Sequence, residues 1–173
     1  MEFRVRPAEP SDVPAIAEVH VRGWQWGYRG LLPEALLAEL DSGERAERLL
    51  AVMTADEPTI AVHLAESGGR VIGFVSSGPT RDPDAGEEVG EVYALDQEED
   101  AAGTGVGAAL LGAAIDELRA RGFARAELWV LDTNARARRF YEREGWRADG
   151  ATKSERFHGV ELREVRLGRP LCG

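Results

Sequence analysis

The chain has 173 residues, 43% of them hydrophobic and 30% charged, which suits one domain over residues 1–173 with a sizeable core and excludes a disordered class. Its 31 acidic and 21 basic residues give a formal net charge of -10, which disfavours nucleic acid or an anionic membrane as partner. No run approaches about 20 apolar residues, so we expect a cytoplasmic protein. The single cysteine, Cys172, has no intrachain disulfide partner.

The first third of the chain has mainly helical patterns. Apolar and basic side chains alternate over residues 3–6, which predicts a strand, and helical spacing follows from Asp12, the expected N-cap. The stretches LLPEALLAEL and GERAERLLAVMTA predict two more helices, separated by turn residues Asp41, Ser42 and Gly43.

After Pro58 the pattern becomes β-branched and apolar. TIAVHLAE and RVIGFVSS predict a hairpin that turns at residues 67–69, and EVGEVYAL predicts a third strand after a polar loop.

The last third alternates helices and strands. A helix is predicted over residues 104–121, ending at Gly122, and then the strand AELWVL, the helix NARARRFYERE and the strand VELREVRL. In that last strand the apolar phase shifts between Leu162 and Val165, which is typical of a bulge or a strand end. The order of elements predicts an α/β (α+β) fold, with a mixed sheet and helices on both faces.

A loop with alternating glycines, AAGTGVGAALL over residues 101–111, joins the third strand to the following helix. Its amides either converge on an anion at the positive end of the helix or form a tight turn without a ligand. The loop is not a P-loop, because Ala108 and Ala109 stand where a lysine and a hydroxyl residue are required. The GxGxG spacing after an antiparallel hairpin also disfavours a dinucleotide site.

Two side chains near this loop suit proton transfer. Strand alternation places Glu91 in an apolar row with Tyr93 and Leu95, a setting typical of a general base, although an ion pair with an arginine is the alternative. Tyr141 is either a proton donor or a core residue, and Asn134 is first of all the N-cap of its helix.

Together, GEVYAL, GTGVGAALL and NARARRFYEREGW resemble motifs of the GNAT N-acetyltransferase superfamily. VRPAEPSDVPAIAEVH and WQWGYRGLLP are similar to the opening helices of bacterial members, and FHGVELREVRL to their closing strands. The resemblance implies a single-domain, mostly antiparallel mixed sheet. It also implies transfer of an acetyl group from acetyl-CoA to a primary amine of a small molecule or peptide, by direct attack in a ternary complex. Many relatives are homodimers.

The resemblance further implies roles for individual residues. Glu91 matches the family's general base and Tyr141 the donor to the leaving thiolate, while a main-chain amide near Leu95 or Gln97 stabilises the oxyanion. The implied cofactor contacts are Leu95, Gln97, Ala102, Gly103, Thr104, Gly105, Val106, Gly107, Asn134 and Arg136. Trp24, Trp26 and Tyr28 match the acceptor pocket, with apolar packing as the alternative.

Two departures from the family pattern bear on cofactor binding. Ala102 replaces the usual Arg or Gln, and an acidic run over residues 96–100 precedes the anion site. If Asp96 faces the pantetheine channel, affinity for CoA should fall, whereas a run that turns outward is a solvated loop. The alternative function is therefore a non-catalytic CoA-binding or regulatory module. No metal site is predicted, since the histidines are widely scattered along the chain.

Overall fold

The computed structural model describes residues 1–56 and 58–171, so Cys172 lies outside the described residues. The helices are α1 (Val13–Gly27), α2 (Glu34–Ala38), α3 (Ser42–Met53), α4 (Val106–Ala120) and α5 (Ala135–Arg143). The strands are β1 (Arg4–Pro7), β2 (Ala61–Ser67), β3 (Arg70–Pro79), β4 (Val89–Gln97), β5 (Arg125–Leu131), β6 (Arg147–Phe157) and β7 (Val160–Pro170).

One seven-stranded sheet contains all these strands, in the order β1-β2-β3-β4-β5-β7-β6. Neighbouring strands are antiparallel except β4 and β5, which run parallel. The predicted mixed, mostly antiparallel sheet is confirmed. Pairing between β4 and β5 ends at Glu91 and Glu127, so the rest of β4 is no longer held against β5.

Helices pack on both faces of the sheet, as predicted. On one face α4 buries the residues that its apolar spacing indicated, including Leu111, Ile115 and Leu118. On the other face Ile16 of α1 and Leu49 of α3 pack into a second cluster. Each such side chain stabilises the fold by about 1.5–3 kcal/mol through removal of apolar surface from water.

Two helix starts differ in detail from the prediction. Asp12 directly precedes α1, but its carboxylate accepts hydrogen bonds from the Arg6 guanidinium at 2.7 and 2.8 Å and from the Glu9 amide, and it makes no cap bond to α1. Asp41 is the N-cap of α3 and accepts from the amide of Glu44 at 2.9 Å, so α3 starts one residue before the predicted stretch.

Strand β6 is missing from the predicted elements. It is an edge strand with mostly exposed residues, and it therefore has no buried face to impose an apolar alternation. The irregularity expected in the last strand lies in β6 instead, between Ala148 and Thr152, because β7 pairs with β5 without a shift in register.

The predicted alternation along β4 is wrong beyond Glu91. The register between β3 and β4 shifts by one residue at Tyr93, which is the extra residue of a β-bulge. As a result Val92 and Leu95, three positions apart, both pack into the cluster under α4. Glu91 and Leu95 therefore point to opposite faces of the sheet.

Candidate active site

A cavity of about 640 Å³ lies beside the segment of β4 that no longer pairs with β5. This volume is in the range of small-molecule sites. At one end the lining comes from the 102–107 loop and α5, and at the other from α1, α3 and the β6–β7 turn. We call these the loop end and the helix end.

Backbone conformation opens the loop end. Gly103 has φ +74° and Gly105 has φ +94°, values that L side chains rarely adopt, and a Cβ built on either would meet no atom within 4 Å. Helix α4 begins at Val106, so the loop amides lie at its positive end. The Thr104 hydroxyl is bonded to the Ala101 carbonyl at 2.7 Å. The cradle is thus made of backbone and suits a pyrophosphate.

The acidic run that precedes the loop has partners elsewhere in the fold. Its four carboxylates each contact a cationic or imidazole group: Asp96–His20 at 2.8 Å, Glu98–Arg22 at 2.7 Å, Glu99–Arg29 at 3.6 Å and Asp100–Arg70 at 2.7 Å. Asp96 does line the cavity, but it does so in contact with His20. Three of the four carboxylates are thus paired with arginines, and Asp96 is hydrogen-bonded to His20.

His20 and Asp96 form a partly buried pair at the helix end. The carboxylate can only accept, so Nδ1–H of His20 donates to it, and Nε2 is the ring nitrogen that faces no such partner. Ring packing against Trp24 and Phe74, with centroids 5.4 and 6.0 Å away, fixes the imidazole orientation. The two elements approach closely because of Gly23, where an added Cβ would lie 3.0 Å from Cβ of Asp96.

Glu91 lies away from the cavity. Its carboxylate is buried and accepts from Arg81 through the backbone amide at 2.8 Å and through Nη2 at 2.7 Å and Nε at 3.3 Å. The ion pair left open as the alternative is the arrangement in the structure. Glu91 does not line the cavity, whose β4 wall begins at Val92.

Tyr141 lines the cavity and lies close enough to Asp96 to feel its charge. Burial, reinforced by that carboxylate, raises the pKa of Tyr141 above its usual range. The phenol therefore remains protonated at neutral pH, which suits a proton donor.

The remaining predicted cofactor contacts come together at the loop end. Asn134 caps α5 by accepting from the Ala137 amide at 3.1 Å. The guanidinium of Arg136 lies over the Trp26 ring, 3.8 Å from its centroid. Oε1 of Gln97 is buried with no hydrogen-bond partner among the described residues, and it faces Gly107. A bound ligand with an N–H group would satisfy this oxygen.

Trp24 and Tyr28 line the helix end and pack on each other, whereas Trp26 lies under the Arg136 guanidinium. Trp24 contacts Tyr28 edge-on at 4.8 Å and Phe157 of β6 at 5.5 Å. Burial raises the pKa of Tyr28 above its usual range. Of the predicted site residues, those that do not line the cavity are Glu91, Thr104, Gly105 and Val106.

Sequence reasoning did not assign a role to His20 or Arg45, both of which line the cavity. The spacing of His20 and Trp24, four residues apart on α1, was a signal that they share a helix face. No local signal connects His20 with Asp96, which lies 76 residues later.

Comparison with known proteins identifies the family. Residues 20–146 match the Acetyltransferase (GNAT) family, and this segment includes the glycine loop, the acidic run and Tyr141. The chain belongs to the GNAT acetyltransferase family. This acetyltransferase is 32% identical over 133 residues to the uncharacterized N-acetyltransferase YuaI of Bacillus subtilis (strain 168), covering 74% of this chain and 71% of YuaI.

Two solved structures share the fold of this acetyltransferase. The PaiA N-acetyltransferase of Thermoplasma acidophilum, in complex with coenzyme A, superposes with a TM-score of 0.75 and 19% identity over 98% of this chain and 99% of that one. A ribosomal-protein-alanine N-acetyltransferase of Brucella melitensis superposes with a TM-score of 0.75 and 22% identity, over 96% and 99%.

Two further observations concern the described part of this acetyltransferase. Residues 1–56 and 58–171 contain no helix long and apolar enough to cross a membrane. The same residues contain no group of three or more His, Cys, Asp or Glu side chains arranged to hold a metal ion.

Proposed function

We propose that this acetyltransferase transfers an acetyl group from acetyl-CoA to a primary amine of a small molecule or peptide, by direct attack in a ternary complex. The observation that carries the proposal is the two-ended cavity, with a backbone anion cradle at one end and a histidine–carboxylate pair among aromatic rings at the other. Both ends open on the unpaired edge of β4, where two substrates can meet.

The loop end fits CoA. The amides of Gly103 and of residues 105–107 would hold the pyrophosphate, whereas the Thr104 amide already donates to the Ala101 carbonyl. Asn134 and Gln97 would contact the pantetheine arm through their amide groups. The missing Arg or Gln at Ala102 removes one side-chain contact, but the positive end of α4 still favours an anion, and arginines pair with three of the four carboxylates of the acidic run. When bound, acetyl-CoA supplies an activated acyl thioester.

The helix end would accept the amine and its proton. An amine of pKa about 10.4 is neutral in only about one molecule in 2,500 at pH 7, so a protein base increases the reactive fraction. We assign this role to His20, because Asp96 holds its Nδ1–H and leaves Nε2 free to accept. Glu91 is engaged by Arg81 and has no access to the cavity.

The remaining steps use Tyr141 and the edge of β4. After His20 has taken one proton from the ammonium group, the amine nitrogen bonds to the acetyl carbon, the carbon–sulfur bond breaks, and the departing thiolate takes a proton from the Tyr141 phenol. The second proton, which the new amide nitrogen loses, returns to Tyr141 through water and restores the phenol. A main-chain N–H near Leu95 or Gln97 would donate to the oxygen that becomes negative as the bond forms.

The test is turnover with acetyl-CoA and a panel of primary amines, followed as release of free thiol. We expect transfer by the wild type, and we expect His20→Gln to reduce kcat by roughly 10²–10⁴-fold, the usual contribution of general acid–base catalysis. His63→Gln is the matched control, since His63 lies on β2 and does not line the cavity. Tight CoA binding without transfer to any amine would favour the non-catalytic module instead.

A further inference from the structure

Arg45 is an unpaired cation at the helix end of the cavity. It lies in the first turns of α3, and its Nε is buried without a hydrogen-bond partner among the described residues. Its neighbour on the same helix, Arg48, is engaged by Glu44. At the other end Arg136 stacks on Trp26. Among the described residues, the Arg45 guanidinium at the helix end therefore has neither an ion pair nor a hydrogen bond.

Leaving such a donor unpaired is unfavourable. Burial is the main cause that lowers the pKa of Arg45, and the charge of Asp96 partly opposes it. The guanidinium still stays charged at neutral pH. A partly buried guanidinium that makes no ion pair favours an anionic ligand, which can provide the missing acceptor.

The chemistry of that acceptor follows from the geometry of the guanidinium. Its donors form a planar fork that matches the two oxygens of a carboxylate, and an end-on pair uses one N–H from each terminal nitrogen. Nε of Arg45 is buried, so the donors left for a ligand in the cavity are the Nη groups. We infer that the acceptor amine also carries a carboxylate, which Arg45 binds, so that the substrate class is an amino acid rather than a simple amine.

Three acidic residues that line the cavity with Arg45 already have partners of their own. Asp41 is occupied as the N-cap of α3, and Glu44 is paired with Arg48. Asp96, whose charge Arg45 senses, is bound by His20. The carboxylate site at Arg45 and the proposed proton acceptor at His20 thus line the same cavity of about 640 Å³.

This inference rests on the proposed function, and matched substrates test it. The panel pairs amino acids of increasing spacing between nitrogen and carboxylate with the same amines lacking the carboxylate: L-alanine with ethylamine, β-alanine with ethylamine, γ-aminobutyrate with propylamine, and L-lysine, through its side-chain amine, with cadaverine. We expect at least one amino acid to exceed its partner in kcat/KM by roughly tenfold to a hundredfold, the range of a hydrogen-bonded charge pair.

Variants of α3 assign the preference to one side chain. Arg45→Gln should reduce kcat/KM for the preferred amino acid by the same factor and leave the partner amine unchanged, and Arg45→Lys should restore part of it. Arg48→Gln is the control and should keep the preference, since Arg48 is already engaged by Glu44. Equal losses for both members of a pair, or a preference for the simple amines, would overturn the inference.

Measurements of amino-acid binding test this inference independently of the proposed function. Calorimetry of the CoA-loaded wild type and of Arg45→Gln, titrated with the same amino acids, does not need turnover. Binding that depends on Arg45, without transfer, would uphold the inference and refute the proposed function. Transfer that is indifferent to the carboxylate would uphold the function and refute the inference, and the absence of both would refute the two together.

Discussion

Replacing Glu91 by glutamine tests whether this carboxylate has a structural or a catalytic role. The Glu91 side chain is 2% exposed and accepts three hydrogen bonds from Arg81. A hydrogen bond to a charged group contributes about 1.5–3 kcal/mol, and the amide retains one acceptor. Arg81 is 63% exposed and can turn toward water, which moderates the loss. We therefore expect Glu91→Gln to lower the free energy of unfolding by about 2 kcal/mol.

The measurement is paired stability and kinetics. For a chain of this length a loss of that size lowers Tm by about 4–8 °C, while kcat should stay within about threefold of the wild type. Glu99→Gln is the control, because that carboxylate is exposed and 3.6 Å from its partner, and it should change stability by less than about 0.5 kcal/mol. A Glu91→Gln protein with normal stability and a kcat reduced by about 100-fold would refute the assignment and restore Glu91 as the base.

Four further predictions concern the acid, the loop and pH. Tyr141→Phe should reduce kcat by about 100-fold in the thiol-release assay, with an unchanged melting temperature. Gly105→Ala should lower the free energy of unfolding by about 1–2 kcal/mol, because residue 105 has a left-handed φ, and it should weaken acetyl-CoA binding measured by calorimetry. Gly112→Ala is the control: Gly112 lies within α4 without close neighbours, so this change should raise the free energy of unfolding by about 0.5–1 kcal/mol. Burial raises the pKa of Glu127, so the folded state holds the carboxyl proton more tightly than the unfolded state does. Urea titrations should therefore show the wild type losing stability relative to Glu127→Gln as pH rises above the usual glutamate pKa. For Asp12, whose pKa is lowered by the Arg6 hydrogen bonds, the wild type should instead lose stability relative to Asp12→Asn as pH falls below the usual aspartate pKa.

Local sequence patterns were sufficient to predict those elements that have one buried face. The spacing of Leu111, Ile115 and Leu118 predicted α4 and its orientation, and glycines at 68 and 69, both with positive φ, produced the expected hairpin turn. The glycines at 103 and 105 predicted a backbone cradle for the same conformational reason.

Features that depend on distant contacts were not predictable. The bulge at Tyr93 arises from how β4 pairs with β3, and it moved Glu91 off the expected face. The partner of Asp96 is set by α1 crossing β4 at Gly23, a contact between residues far apart in the chain. The acidic run looked unfavourable for an anion because its arginine partners lie on other elements.

The edge strand β6 also bears on behaviour at high concentration. An exposed strand edge is a template for addition of a strand from another molecule, and β6 is eleven residues long. Five of its residues are charged, and the register shift between Ala148 and Thr152, with Gly150 at φ +92°, interrupts its regular hydrogen-bonding edge. These features disfavour sheet extension from one molecule to the next, so the protein is protected against aggregation along the one long edge of its sheet.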